Sequence, residues 1–272
     1  MSNYHIERIE LEGPQNVRDL GGFMMADGRK IRQGRLIRSC ELARLTDHDK
    51  DILISDHHLH TIVDFRTELE KNQMPDPEMS GVDYLWIPVL DESMLGITKE
   101  AGADQDTVEQ LSVQIKTGQL TTEHFMQKLY RDIVLSEHAA MAYHQFFEIL
   151  LNQRDGAVLW HCSAGKDRAG MAAMLILTAL GAPRELIIED YLMVNVFLKE
   201  NIEYNRRSII EKTGDTYLAD SMTGLFSVER SYAEYAFSVM EEQCGSAEGY
   251  LEKKIGVSNE DCRRLREMYL AE

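Results

Sequence analysis

The sequence predicts an α/β fold, with a central, mostly parallel sheet flanked by helices and a helical C-terminal half. Three observations carry that expectation. Short β-branched segments alternate with capped helical ones through the first half of the chain. A buried strand, Ala157–Trp160, runs through a tight loop straight into an apolar helix. From Arg168 onward the periodicity is helical almost without interruption.

Taken in order, Tyr4 to Leu11 alternates apolar and polar residues, as a half-buried strand does. Ala26-Asp27-Gly28-Arg29 is a hairpin turn between Phe23-Met24-Met25 and the segment from Lys30. Arg35 to Ser39 is expected as a further strand. Thr46, with Asp49 three residues on, caps a helix running through Ile52 and Leu53. His60 to Phe65 is a β-branched core strand, and Thr67 with Glu70 forms a capping box for the helix after it. Val82 to Val89 is expected as another strand, ending at Pro88 and a polar segment from Asp91. Residues 91–118 are polar, with weak helical character around Val108 to Ile115, and form a candidate lid over a site. Helices are expected over Thr121–Leu135 and Glu137–Leu151. Pro183 suits the first turn of a helix, Gly245 and Gly256 act as helix stops, and Ser258 with Asp261 caps the last helix.

A chain of 272 residues, 44% hydrophobic, can bury a full core, and no Pro-, Gly- or Ser-rich linker divides it. A single domain over 1–272 is expected. Lys and Arg number 29 against 46 Asp and Glu, giving a net charge of −17. That balance argues against a nucleic-acid partner but permits a small, locally positive phosphate site. Cys40, Cys162, Cys244 and Cys262 form no CxxC pair and no disulfide framework. The N-terminus lacks an apolar signal region, and the run from Met171 to Leu180 is too short for an integral membrane segment. A reducing, cytoplasmic setting is expected. Oligomeric state and secretion without a signal are left open.

The chemistry is concentrated in His161-Cys162-Ser163-Ala164-Gly165-Lys166-Asp167-Arg168. A strand–loop–helix turn aims successive backbone N–H groups and a helix N-terminus at one concavity, which suits a dianionic phosphate. Gly165 permits a turn that a side chain would obstruct. The same positive environment lowers a thiol pKa, so Cys162 is expected as a thiolate nucleophile. Arg168, six residues on, offers a planar fork for two phosphate oxygens. A lone cysteine is more often a core thiol; here motif and setting agree on catalysis or phosphate binding.

His161-Cys162-x5-Arg168-x-Gly170 resembles the signature of the protein tyrosine phosphatase superfamily, in the HCxxGKDR form of bacterial members. Asn16-Val17-Arg18-Asp19-Leu20-Gly21-Gly22, Gly34-Arg35-Leu36-Ile37-Arg38-Ser39 and Val63-Asp64-Phe65-Arg66-Thr67-x-x-Glu70 resemble further blocks of that family. So do Gly245-Ser246-x-x-Gly249-Tyr250-Leu251 and Leu265-Arg266-x-x-Tyr269-Leu270 near the C-terminus. The resemblance implies a phosphatase-like fold and a two-step reaction through a phosphocysteine, with no metal and no cofactor. It implies phosphorylated protein substrates, phosphotyrosine first, with phosphoserine, phosphothreonine or phosphoinositides also open to the GKDR form. Ser163, Ala164, Gly165, Lys166 and Arg168 would bind the phosphate.

Two residues compete for the general acid. The resemblance favours Asp167, within the loop, while Asp91 stands where related phosphatases carry an acid on a mobile segment. Lys166 would add a cation to the cradle, or else be a solvated lysine. His161, Arg18, Asp19, Asp64 and Arg66 would support the loop, or form an ordinary ion-pair network. Ala169 departs from the Ser or Thr usual after the signature Arg. It leaves a phosphate-binding protein with weak turnover as the alternative. Sulfurtransferases also use a loop cysteine but lack the GKDR pattern and the N-terminal block. His57, His58 and His60 read as a helix end rather than a metal site. The Met and aromatic residues around Tyr191 to Phe197 read as core or pocket wall rather than a cofactor box.

Overall fold

The computed structural model describes residues 6–90 and 113–272. Asp91, and the expected lid apart from residues 113–118, lie outside the described residues. The main sheet has six strands: β1 (Glu7–Arg8), β2 (Arg18–Asp19), β4 (Leu36–Ser39), β5 (Leu59–Asp64), β6 (Asp83–Trp86) and β7 (Ala157–His161). Their order is β1-β2-β4-β7-β5-β6. The four strands β4, β7, β5 and β6 are mutually parallel, while β1 and β2 add an antiparallel edge.

Alternation along the central strands sorts their side chains onto two faces. Leu36, Val63, Val158 and Trp160 join one buried cluster, and Ile37, Ile62, Ala157 and Leu159 join another. The first cluster is covered by helices α3 (Thr122–Leu135), α4 (Glu137–Asn152) and α5 (Arg168–Leu180), together with the C-terminal helices. The second is closed by Leu42, Leu45 and Leu53, from the segment around helix α1 (Asp47–Asp51). Every residue of α5 is buried, which is why its sequence is apolar on all sides. Its last turn ends at Gly181, in the left-handed conformation with φ 89°.

Three capping boxes form where the sequence places them, at Thr46, Thr67 and Ser258. The last two open helices α2 (Glu68–Gln73) and Asn259–Tyr269. Of the strand expected from Tyr4 to Leu11, Tyr4 and His5 lie outside the described residues, and within the rest it spans Glu7–Arg8, opposite the two residues of β2. Helix α1 stops at Asp51, and residues 52–56 continue as a wider π turn. The strand expected to Val89 ends at Trp86, although Ile87 and Val89 still donate to the Asp64 and Phe65 carbonyls across Pro88. One pairing has no local signal: strand β3 (Lys30–Ile31) pairs with β8 (Leu270–Ala271), tying the hairpin to the C-terminus. No described helix is long and apolar enough to cross a membrane.

Candidate active site

Strand β7 is central, flanked by β4 and β5, and it delivers His161 and Cys162 to the C-terminal end of the sheet. That end is where open α/β sheets place their sites. The loop from Cys162 to Asp167 then turns into α5. Gly165 adopts φ 71°, and a Cβ there would sit 2.3 Å from the Ser39 carbonyl oxygen. Glycine is therefore required twice, for conformation and for space.

The loop carbonyls are held from outside. Asn16 Nδ2 donates to the Ala164 and Gly165 carbonyls at 3.0 and 3.1 Å. The Arg38 guanidinium donates to the Gly165 carbonyl at 2.8 Å and the Lys166 carbonyl at 3.4 Å, and the Glu41 amide donates to Ser163 O. In a planar trans peptide the N–H points opposite to the C=O. Holding the carbonyls of residues 163 to 166 outward turns the amides of residues 164 to 167 to the other side, into the concavity.

One buried carboxylate anchors the two arginines beneath the loop. Asp190 accepts from Arg18 Nε at 2.8 Å and from Arg38 Nη1 at 2.6 Å, and Arg18 Nη1 in turn donates to Asn16 at 2.5 Å. Burial pushes the Asp190 carboxyl up, but the Arg18 and Arg38 charges outweigh it and hold the group below the usual carboxylate range. Arg18 reaches the loop through Asn16. Asp19 accepts from the Gly21 and Gly34 amides.

A second cluster lies beside β7. His161 Nε2 is 2.9 Å from Asp76, and Arg66 pairs with both Asp64 and Asp76 at 2.9 Å. Burial lowers the His161 pKa, yet the Asp64 and Asp76 charges prevail and raise it. Asp64, pushed up by burial but drawn down by His161 and Arg66, sits at about 2. Ligand atoms of Asp64, Asp76 and His161 come within 4.8 Å of one another. The Arg66 guanidinium bridges the two carboxylates, supplying the positive charge a metal would bring.

Arg168 is oriented by Glu70. Its Nη1 and Nη2 donate to the two Glu70 oxygens at 2.7 and 2.8 Å, and Ser163 Oγ donates to the same carboxylate at 2.6 Å. Glu70 is also the reciprocal partner in the Thr67 capping box. The first turn of α2 therefore sets the direction of the carboxylate that holds Arg168. Burial raises the Glu70 pKa, but the Arg168 charge and the hydrogen bonds outweigh it and hold the group at about 2.

The other side of the loop is closed. Lys166 Nζ lies 3.0 Å from Asp167 Oδ2 and donates to the Leu225 carbonyl at 2.7 Å, at the end of helix Thr216–Phe226. Tyr130 donates to Asp167 Oδ1 at 2.7 Å, and its oxygen lies 2.7 Å from Tyr191. Burial, with the charge of Asp167 added, raises the Tyr130 pKa well above its usual value, so the hydroxyl remains a donor. Asp167 is fully buried and Lys166 nearly so. Ala169 is buried as well, and its carbonyl accepts from Trp160 Nε1 at 3.0 Å.

Cys162 is buried at the head of the loop. Burial pushes the thiol of Cys40, close to the loop, up to about 12. Five residues of this network escape the sequence reasoning as site residues. Asn16, Arg38 and Glu70 were visible only inside larger motif blocks, Glu70 also as a helix cap, and Asp76 lies in a segment with no pattern. Asp190 has no local signal at all, since an acidic residue in a helix is ordinary.

The profile described as the tyrosine phosphatase family matches residues 9–271. A Cupriavidus necator protein named as a tyrosine-protein phosphatase is 32% identical, over 94% of this chain and 86% of that protein. The Mycobacterium tuberculosis triple specificity protein phosphatase PtpB is 28% identical, over 96% of this chain and 98% of its own. Among solved structures, the core catalytic domain of the S. cerevisiae PP-IP phosphatase SIW14 is distantly similar. It has a TM-score of 0.38 and 13% identity, over 75% of this chain and 96% of that one.

Proposed function

The chain belongs to the tyrosine phosphatase family, and from that premise we propose that it hydrolyses phosphate monoesters, phosphotyrosine first, through a Cys162 phosphocysteine. The observation that carries this reading is the cradle. Its carbonyls are tied outward, its amides are turned inward, Cys162 stands at its head, and Arg168 is held in a fixed fork by Glu70.

In the first step the Cys162 thiolate attacks phosphorus. An S–P bond forms as the bond to the leaving oxygen breaks, and a proton passes to that oxygen. In the second, water attacks the phosphocysteine, gives up a proton, and releases phosphate and the thiolate. Amides, the helix N-terminus and Arg168 stabilise charge on the equatorial oxygens in both steps.

Asp167 is the proposed proton carrier. Its Oδ1 is engaged by Tyr130 and its Oδ2 by Lys166. A dianionic phosphate in the cradle competes for the Lys166 ammonium. Turning Lys166 to the substrate removes the cation beside Asp167 and favours its protonated form. Substrate binding would thus arm the acid. Asp91 is the rival, and the two are separable: Asp167→Asn should slow phosphotyrosine far more than p-nitrophenyl phosphate, whose leaving group needs no proton. If Asp91→Asn shows that split instead, the acid is Asp91.

The relatives bear on breadth. PtpB is named a triple specificity phosphatase, which supports breadth beyond phosphotyrosine, to phosphoserine, phosphothreonine or phosphoinositides. The alternative, a phosphate binder without turnover, gains no support from relatives named as phosphatases. A buried cluster with members from Leu20 to Leu270 supports a single domain. Vanadate-sensitive hydrolysis of p-nitrophenyl phosphate, abolished by Cys162→Ser with phosphate binding retained, is the expected result. Undiminished turnover in Cys162→Ser would overturn the mechanism.

A further inference from the structure

Three arginines converge at the opposite end of the sheet from Cys162. Arg35 immediately precedes β4, Arg154 lies three residues before β7, and Arg264 comes from the helix Asn259–Tyr269. Together with Asn152 and Gln153 they line a cleft of about 450 Å³ that has no carboxylate in its wall. The five residues of β7, at about 3.3 Å each, separate this cleft from the catalytic loop by roughly 16 Å.

Such a cleft is unexpected in a chain of net charge −17. Around the catalytic loop the buried arginines are matched: Arg18, Arg38, Arg66 and Arg168 all pair with carboxylates. Here, among the described residues, neither Arg35 nor Arg154 has an ion-pair partner, and Arg264 has only a 3.5 Å contact with Asp261. Arg35 is held in place without being neutralised. Its guanidinium stacks over the Tyr269 ring, with 5.3 Å to the centroid, and donates to the Arg154 carbonyl at 3.4 Å. Its Nε is buried and has no hydrogen-bond partner. A buried donor without an acceptor is costly, and three guanidiniums side by side repel one another. A tetrahedral oxyanion resolves both, because planar forks match its oxygens two at a time.

We propose that this cleft is a second anion site, which binds a soluble phosphate-type oxyanion and is separate from the catalytic cradle. The volume exceeds what one phosphoryl group needs, so the site has room for the small molecule that carries it. Arg35 leads into β4, which bears Arg38, and Arg154 leads towards β7, which delivers Cys162.

The probe is inorganic phosphate, measured in two ways on the whole chain. Equilibrium dialysis of labelled phosphate counts all sites, while competitive inhibition of p-nitrophenyl phosphate hydrolysis reports the cradle alone. Two phosphates should bind the wild type. The double variant Arg154→Ser, Arg264→Ser alters two exposed side chains and should bind one, with the inhibition constant and kcat unchanged. A wild type that binds a single phosphate overturns the proposal, as does a double variant that still binds two. Loss of the second phosphate together with a weakened inhibition constant would also overturn it, because the sites would then not be separate.

Discussion

The charges around the catalytic loop and those on the last helix follow opposite rules. Beside the loop, Asp190 serves two guanidiniums, Glu70 meets Arg168 at both oxygens, and Arg66 bridges two carboxylates, all buried or nearly so. On the helix Asn259–Tyr269, Arg263 pairs with Glu260 and Glu267 in full view of solvent. Water screens the exposed pairs and replaces either partner when one is lost. Arg18 and Arg38 are buried away from solvent, so losing Asp190 leaves both without its carboxylate. The loop is held by interactions that are strong because they are irreplaceable, not because ion pairs are intrinsically stabilising.

Breaking the anchor beneath the loop should have the largest effect. Asp190→Ala leaves Arg18 and Arg38 buried without their carboxylate, and about 3–5 kcal/mol of stability should be lost, read from urea unfolding. Asp190→Asn keeps the shape but not the charge, and should fall between the two. A midpoint for Asp190→Ala equal to the wild type would refute the comparison.

Glu70→Gln comes next. The variant keeps a capping partner for Thr67 but loses the bidentate hold on Arg168. Since small misplacements of a catalytic group cost about 10²-fold, kcat/KM should fall by about that factor, with kcat taking most of the loss. The same carboxylate sets a pH dependence. Its folded pKa of about 2 lies below the ordinary value of 4.5, so its contribution is complete above pH 4.5 and drains away as pH falls towards 2. Unfolding midpoints measured down through that window should drop more steeply for the wild type than for Glu70→Gln.

Tyr130→Phe removes one hydrogen bond to Asp167 and should cost about 1 kcal/mol. The sharper readout is the pH–rate profile. Without the hydroxyl, the carboxylate form of Asp167 is less favoured, and the limb it controls should move to higher pH. An unmoved profile would separate Asp167 from proton transfer. At the small end, Arg263→Ala should leave both the unfolding midpoint and the activity unchanged. A clear loss there would show that the exposed pairs matter as the buried ones do.

Much of this arrangement was legible in the chain. The capping boxes at Thr46, Thr67 and Ser258, the turn at Ala26–Arg29 and the stops at Gly245 and Gly256 are local devices, and each is found in place. The loop from Cys162 to Arg168 carried its chemistry in its residue types. Arg18, Asp19 and Arg66 were readable near the loop only through resemblance, and Asp19 accepts from the Gly21 and Gly34 amides of the hairpin. Asp190 and Asp76 could not be read at all. Each lies far in sequence from the arginine it neutralises, or, like Asp76, in a segment with no pattern of its own.

By itself the sequence determined the strand–loop–helix that bears Cys162 and Arg168, the helices and their ends, and the glycine that lets the loop turn. These follow from dihedral preference, periodicity and capping, which act over a few residues. Only the tertiary structure decided which carboxylate holds which arginine, that Lys166 and Asp167 face each other, and that the loop carbonyls are pulled outward by Asn16 and Arg38. Those choices depend on a low-dielectric interior that forces every buried charge to find a partner. The partner is whichever group the packed sheet and helices bring within reach, at any separation along the chain.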